Sequence, residues 1–367
     1  MTVRDIFDEL RRRCVPLAGS LELTHRCDLR CSHCYQFSPR PGEAEMDTSQ
    51  VVGLLDRLRE AGCLFLNLTG GEPLLREDLP EILEEAAERH FALTLQTNAF
   101  RLDGEVADRL ARVPGLRVDV SLHAASEEKH DAFCGVKGGF RAALGALELL
   151  RERGVPCMTK TVVTRLNVGE LEGVERLAEE RGAAAFFSSM VFPRNDGDDA
   201  PLSLRLSDSE LEAFVDFQAG QTARLLEKLG EGGGGADAAS AGLPAGGPPE
   251  VPGCGEAVPD ARGRVLRGCG AGRTAFCVNP YGDLYPCVAW PQVVGNVLEE
   301  DFMQLWQGSA MLAELRETGF NLSEECVTCQ ILADCPLCPA LSFLEEGDPG
   351  ATSRERCRQT RAWMKRR

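Results

Sequence analysis

Between about residues 20 and 225 the chain alternates short apolar runs with longer stretches whose apolar residues recur every three or four positions. The runs Leu21 to Thr24, Leu64 to Leu68, Ala92 to Gln96, Arg117 to Leu122, Met158 to Val163 and Ala185 to Val191 have the length and bounding signals of strands. Segments such as SQVVGLLDRLREAG and LPEILEEAAERH lie between them, gather Leu, Val and Ile on one face and stop near Gly or His, as amphipathic helices do. Repeated strand–helix units predict an α/β fold with a parallel sheet. Six of them suit a partial (β/α)6 TIM-like barrel better than a flat sheet. The unusual residues Cys27, Gly70, Asn98 and His123 fall just after strand ends, on the rim that carries the chemistry in barrels.

This texture stops at EGGGGADAASAGLPAGGPPEVPG, Glu231 to Gly253, which holds too little apolar surface to repay the entropy of ordering and is expected to be a flexible linker. Beyond it come short Gly- and Cys-rich pieces with one helical stretch over Asp301 to Glu317, the pattern of a small domain held by metal. The expected organisation is an N-terminal helical extension (1–17), a barrel (18–230), a linker (231–253) and a cysteine-rich domain (254–367).

Of the 367 residues, 43% are hydrophobic, enough for a sizeable core, yet no run is long enough to span a bilayer, so no membrane role is expected. The start MTVRDIFDELRRRC is charged and helix-like and has no apolar signal core, which leads us to expect the cytoplasm. In that reducing setting sixteen cysteines point to metal or redox chemistry rather than to disulfides. A formal charge of −17, from 57 acidic against 40 basic residues, repels a phosphate backbone and argues against nucleic acid as a partner. The basic tail SRERCRQTRAWMKRR reads as a solvated helix face.

The stretch LELTHRCDLRCSHCYQ sets Cys27, Cys31 and Cys34 in a C-x3-C-x2-C arrangement directly after the first strand. Three thiolates on one loop can cap three irons of a [4Fe-4S] cluster and leave the fourth iron open, whereas structural zinc asks for four ligands. A second motif, LTGGEPLL, closes the next strand. Together the two motifs resemble those of the radical S-adenosylmethionine (SAM) superfamily. The resemblance implies that Cys27, Cys31 and Cys34 hold a catalytic cluster whose open iron chelates S-adenosylmethionine. The reduced cluster then cleaves that cofactor to methionine and a 5'-deoxyadenosyl radical, which takes hydrogen from the substrate.

Gly70, Gly71, Glu72 and Pro73 match the family's GGEP motif, which implies that the glycines let the backbone approach the cofactor and that Glu72 accepts from its ammonium. Asn98 in QTNA and Ser121 in VSLH resemble cofactor-contacting positions at the next two strand ends, and either could equally be an ordinary turn residue. Where many relatives carry an Arg, HDAFCGVKGGF has Cys134. Lys137 and Arg165 are candidate replacements, and the alternative is that Cys134 is simply a small buried side chain.

In the C-terminal part, CGAGRTAFCVNPYGDLYPC places Cys269, Cys277 and Cys287 around an expected hairpin turning at PYGD. Then come Cys326, Cys329, Cys335, Cys338 and Cys357. Two C-x2-C pairs alone would suit a zinc ribbon. With the complete radical motif upstream, the set instead resembles the SPASM extension of the superfamily. That resemblance implies a distal auxiliary cluster on Cys326, Cys329, Cys335 and Cys357, with Cys338 crossing over to join Cys269 and Cys287 on a nearer one. Cys338 departs from the pattern by following Cys335 one residue early. Cys277 or Cys254 could supply an eighth ligand, or one iron is left open.

Relatives with this extension mostly modify peptides or proteins, so the resemblance implies a peptide or protein substrate and an oxidation or crosslink such as a thioether or C–C bond. It also implies an external one-electron reductant of flavodoxin or ferredoxin type. About twenty residues precede the first strand, too few for a fused leader-binding module, so any leader recognition is expected to come from a separate small peptide-binding protein or from the barrel rim itself. Val288 follows Cys287 where sulfatase-activating relatives usually have Asp, which argues against that variant. The alternatives are an enzyme acting on a tetrapyrrole or other small molecule, and a non-catalytic electron carrier, against which the intact GGEP counts.

Overall fold

The strand–helix alternation folds as α1 (Val3–Arg12), β1 (Ala18–Glu22), α2 (Thr48–Glu60), β2 (Phe65–Thr69), α3 (Leu79–Glu88), β3 (Ala92–Thr97), α4 (Gly104–Leu110), β4 (Arg117–Ser121), α5 (Glu127–Cys134), α6 (Gly139–Glu152), β5 (Cys157–Val162), α7 (Leu171–Glu180), β6 (Ala184–Ser188) and α8 (Asp208–Glu231). After these come a two-residue ribbon of β7 (Val258–Pro259) and β8 (Val265–Leu266), then β9 (Ala275–Val278), β10 (Asp283–Tyr285) and β11 (Gly295–Asn296). Among the described residues five α-helices then follow: α9 (Phe302–Gly308), α10 (Ala310–Glu317), α11 (Glu324–Val327), α12 (Pro339–Glu346) and α13 (Arg354–Met364). The structure is a computed structural model and describes residues 3–36, 39–231, 258–259, 265–266, 269–317 and 322–366. Of the expected linker only Glu231 is among them, and Cys254 lies outside the described residues.

Strands β1 to β6 pair in sequence, all parallel, and form an open six-stranded wall. Alternate residues of each strand divide its two faces. Leu21, Leu66, Leu68, Leu93, Leu95, Val118 and Val120 face the helices and join Leu54, Leu58, Ile82, Leu147 and Val174 in one buried core. The opposite register, Ser20, Glu22, Asn67, Thr69, Thr94, Gln96, Asp119 and Lys160, lines the concave interior with polar groups.

The sheet does not end at β1. Strand β9 pairs with β1 in parallel, Ser20 opposite Cys277, and β10 and β11 continue the sheet antiparallel. The expected hairpin at PYGD is therefore present, and it is built into the barrel sheet. This explains why β1 starts at Ala18 rather than Leu21. Ala18 to Ser20 carry little apolar signal, but hydrogen-bonded ladders on both sides recruit them, whereas Leu23 and Thr24 leave the strand for the loop beyond.

Behind the hairpin, Phe276 packs so closely on Gly19 that a Cβ there would come within 2.4 Å of the ring. Phe276 also meets Phe302 and Trp306, and the Trp306 indole donates to the Cys14 carbonyl at 2.6 Å. The helical stretch expected over Asp301 to Glu317 is two helices, because Ser309 is extended (φ −66°, ψ 123°) and its hydroxyl accepts from Leu312 N as the second begins.

The far edge is covered as well. Helix α13 lies on α8, with Arg358 on Asp208 and Lys365 on Glu212, and Gln359 reaches the Ser189 carbonyl just past β6. The C-terminal part thus adds strands at the β1 edge and helices at the β6 edge. No helix among the described residues is long and apolar enough to cross a membrane.

Since Phe276 is 2% exposed and lies at the junction of both parts, Phe276→Ala is expected to cost about 3–5 kcal/mol in equilibrium urea unfolding, as for other buried aromatic truncations. A loss under about 1 kcal/mol would mean that the hairpin is a dispensable appendage.

Candidate active site

The loop between β1 and α2 carries Cys27, Cys31 and Cys34, and three sets of backbone bonds hold it. Gly71 N donates to the Thr24 carbonyl (2.7 Å) and Glu72 N to the Arg26 carbonyl (2.8 Å), tying the loop to the end of β2. Arg30 N donates to the Cys134 carbonyl (2.9 Å) and Ser32 N to that of Phe133 (3.0 Å), tying it to the end of α5. Asn195 N donates to the Tyr35 carbonyl (2.9 Å), so the segment beyond β6 grips the third side.

The glycines of GGEP are explained by this clamp. A Cβ on Gly70, at φ +132°, would stand 2.3 Å from the Thr24 carbonyl oxygen, and one on Gly71 would stand 2.2 Å from that of Arg26. Both positions demand glycine because the loop's backbone lies against them. Glu72 is fully buried; it accepts from Leu74 N (3.0 Å), the Thr97 hydroxyl (2.7 Å) and Asn98 N (2.7 Å). A carboxylate offers about four acceptor directions, so one remains for an ammonium. Burial raises the Glu72 carboxyl to about 7 despite these bonds. Pro73 opens the short turn that Glu72 caps.

Asn98 donates to Asp28 at 3.0 Å and to the Cys27 sulfur at 3.8 Å, which makes it a brace of the loop. Ser121 ends β4 on the interior register opposite Lys160 and is half-buried. Lys137 and Arg165 are exposed, with the Arg165 charge felt by Glu210, while Cys134 is buried against the loop.

Both of the other loop thiols feel Cys31. Burial pushes Cys27 up to about 11, with Cys31 adding to it; Cys34 is raised by burial and also feels Cys31; Cys31 is raised by a hydrogen bond to Cys134 and by burial. Thiols so placed resist ionisation until a cation joins them, which suits an iron-sulfur cluster that takes thiolates. Buried polar atoms without partners, Gln36 Oε1 and the inward-facing Asn67 Oδ1, leave acceptors for a polar ligand in the same interior. The donor set therefore fits a three-cysteine cluster and a polar cofactor.

His123, expected on the rim, has two companions that sequence reasoning missed, His33 and His130. Three of the chain's five histidines gather beside the loop: His33 stacks edge-on to His123 (4.8 Å), His123 lies 5.9 Å from His130, and Phe133 touches the first two. Burial lowers His33 and His130 to about 4 and His123 well below its usual value, so all three are neutral near pH 7. The signal available in the sequence was weak: a His inside the loop, one just after β4 and one on α5.

Among the C-terminal cysteines two groups separate. Burial raises Cys357, as do Cys335, Cys326 and Cys329; Cys335 in turn feels Cys326 and Cys329, so these four thiols lie in one neighbourhood. Hydroxyls approach them, Thr352 to Cys326 (3.4 Å) and Thr360 to Cys335 (3.5 Å). Cys338 stands apart, raised by burial at the head of α12 with Arg356 opposing. That helix docks toward Cys287: Phe343 of α12 stacks on Trp290 (5.6 Å), whose backbone N–H donates to the Cys287 carbonyl. Cys277, raised by burial, then by Glu22 and Cys287, projects from β9 into the interior, while Gly272 N binds the Pro286 carbonyl and brings the Cys269 segment near Cys287. Among the described residues no three Cys, His, Asp or Glu side chains are disposed around a single metal ion.

An open parallel barrel with a three-cysteine loop at its rim, extended by a cysteine-rich hairpin, defines a radical SAM enzyme with a SPASM domain, and the comparisons agree. The Radical SAM superfamily model matches residues 21–178, and that of SPASM, an iron-sulfur cluster-binding domain, matches residues 269–330. The chain belongs to the radical SAM superfamily, whose cofactors are [4Fe-4S] clusters and S-adenosylmethionine.

It is similar to the mycofactocin maturase MftC of Mycobacterium ulcerans, 31% identical over 82% of this chain and 77% of that protein. It is also similar to the AdoMet-dependent heme synthase of Methanosarcina barkeri, 28% identical over 89% and 92%. Of solved structures, Streptococcus suis SuiB bound to its precursor peptide SuiA superposes with a TM-score of 0.71 at 18% identity, covering 96% of this chain and 79% of that one. At that identity the likeness speaks for the fold.

Glu72 gives the metal-free protein a pH signature. With a native value near 7 against an ordinary 4.5, the folded form binds more protons in between, so stability falls as pH rises through that window, by on the order of 3 kcal/mol. Glu72→Gln is expected to flatten that slope, whatever its absolute stability, in denaturation series from pH 4.5 to 7.5. An unchanged slope would assign it elsewhere.

Proposed function

We propose that the protein oxidatively modifies or crosslinks a side chain of a peptide or protein. The observation that carries this reading is the parallel pairing of β1 with β9. It sets Cys277 on the same interior wall as Ser20, with Tyr285 beside it in register, and Glu22 is felt by Cys34 on one side and Cys277 on the other. In this reading the radical loop and Cys277 share the same interior. Removing a hydrogen atom and then an electron from one substrate calls for that juxtaposition, and the similarity to a maturase at 31% identity supports a peptide as the substrate.

When bound, the cofactor pair supplies a carbon-centred oxidant able to take hydrogen from an unactivated C–H bond. In this reading Cys27, Cys31 and Cys34 hold the radical-generating cluster. Glu72 keeps its last acceptor for the cofactor's ammonium, the glycine clamp orients the loop, and Asn98 braces Cys27. Cys326, Cys329, Cys335 and Cys357 hold the distal cluster. Cys269, Cys287 and Cys338 hold the nearer one, with Cys277 at hand as a further ligand. The apolar helix-facing core keeps bulk water from the chamber floor. An external flavodoxin- or ferredoxin-type reductant, a cytoplasmic setting and a separate small protein presenting the peptide complete the proposal.

A second reading, a tetrapyrrole substrate, draws on the heme synthase similarity, which spans 92% of that protein. The two readings part on substrate-dependent 5'-deoxyadenosine formation with a peptide or with a tetrapyrrole.

Iron analysis of the anaerobically reconstituted protein is expected to give about twelve irons per chain, for three cubanes; about four irons together with zinc would instead restore a zinc ribbon. Cys27, Cys31 and Cys34 changed together to Ala should abolish 5'-deoxyadenosine formation under dithionite while about eight irons remain. Persistent formation would remove these residues from the radical site.

A further inference from the structure

Strands β1 to β6 carry two cations, Arg117 and Lys160, and both belong to the inward-facing register. Arg117 opens β4, at the end away from the rim, whereas Lys160 stands opposite Ser121, the last residue of β4. Between them lies Asp119, 1% exposed. Arg117 Nε donates to Asp119 Oδ1 at 3.0 Å and Lys160 Nζ lies 3.3 Å from Oδ2, so one buried carboxylate is faced by two cations. The group keeps one positive charge in excess. Asp119 Oδ2 accepts no hydrogen bond, so the contact with Lys160 is purely ionic and the lysine's three donors are unused among the described residues. Phe186, in register with Lys160 on β6, sets its ring 5.8 Å from the ammonium, and about a third of the lysine side chain is exposed.

This excess charge calls for an anion at the rim. Thr97 pairs with Val120 and Val120 with Thr159, so the next rung sets Asn98, Ser121 and Lys160 side by side. Glu72 accepts from Asn98 N at one end of that rung and keeps an acceptor direction for the cofactor's ammonium. In the amino-acid end of S-adenosylmethionine the carboxylate stands on the same carbon as the ammonium. An acceptor at the end of β3 and an unused donor two strand spacings away, about 10 Å between backbones, can bracket one such group. Lys137 and Arg165, the candidate replacements for an Arg at position 134, are exposed and lie off this rung.

We propose that Lys160, assisted by the Ser121 hydroxyl, binds the carboxylate of S-adenosylmethionine and so fixes the cofactor's amino-acid end between β3 and β5. The inference rests on that cofactor occupying the barrel interior, and it holds for a peptide and for a tetrapyrrole substrate alike. Asp119 then serves to hold Lys160 in place from the layer below.

The test is equilibrium dialysis of the anaerobically reconstituted full chain, its clusters left oxidised so that nothing is cleaved, against S-adenosylmethionine and against decarboxylated S-adenosylmethionine. Lys160→Met is expected to weaken binding of the first about tenfold or more and to leave the second within about twofold of wild type, as loss of one charge-assisted hydrogen bond would. Retained binding of the second ligand also shows that the variant is folded. Unchanged affinity for S-adenosylmethionine overturns the proposal, as do equal losses for both ligands, which would make Lys160 structural. An uncompensated Asp119 would itself repel a carboxylate, so Lys160→Met is also combined with Asp119→Asn. Binding that stays weak in the double variant supports direct contact; binding restored to the wild-type level reduces Lys160 to a neutraliser of Asp119 and overturns the proposal. Wild-type protein that bound neither ligand would remove the premise as well.

Discussion

The loop that carries Cys27, Cys31 and Cys34 has no regular structure of its own, and the backbone clamp around it is the constraint on which the site depends. Two bonds to the end of β2 and two to the end of α5 are made by main-chain groups, so they fix the loop's path without spending side chains. Carbonyl oxygens little more than 2 Å from where a Cβ would sit make Gly70 and Gly71 a steric requirement. Backbone of this kind, over-determined by its surroundings, can keep three thiols together despite the cost of burying them. Glu72 carries the same logic one layer down. Its buried carboxylate ties the turn after β2 to the end of β3 and accepts an elevated proton affinity as the cost.

The C-terminal part extends the same sheet rather than forming a separate body. An open six-stranded wall leaves two edges, and unpaired edges are a liability. Here β9 occupies the β1 edge, and α13 lies over α8 at the other. One consequence is mechanical, since Phe276 wedged on Gly19 couples the hairpin to the barrel core. The other is chemical. Parallel register carries inward-facing positions of β1 straight across to β9, so Cys277 inherits the orientation of Ser20.

How much of this was legible in the chain depends on whether the signal was local. The six barrel strands and the helices between them were legible because burial on one face leaves a period in the sequence, and the cysteine loop was legible because ligation demands close spacing. The start of β1 was not, since Ala18, Gly19 and Ser20 owe their strand to neighbours 47 and 257 residues away. The helix break at Ser309 was hidden by the unbroken apolar pattern across it. Likewise the glycines were read as room for a cofactor, whereas the atoms that exclude a Cβ belong to the chain itself. The histidine group was invisible because its members come from three elements whose meeting only the barrel arranges.

The thirteen residues from Cys326 to Cys338 show how placement sorts a compact motif. By spacing alone its four cysteines look like one tetrahedral site, yet the first three lie near Cys357 while the fourth starts a helix that leads toward Cys287. The residue missing between Cys335 and Cys338 is absorbed locally. Leu337 N turns back to the Cys335 carbonyl (2.9 Å), and Cys338 then caps α12 in an extended conformation. A tight turn followed by a helix start lets a shortened segment change direction, as a crossing ligand must. The aromatic stack of Trp290 on Phe343 holds that direction even before metal is present. Packing thus turns Cys338 away from the other three cysteines of the motif with no help from metal.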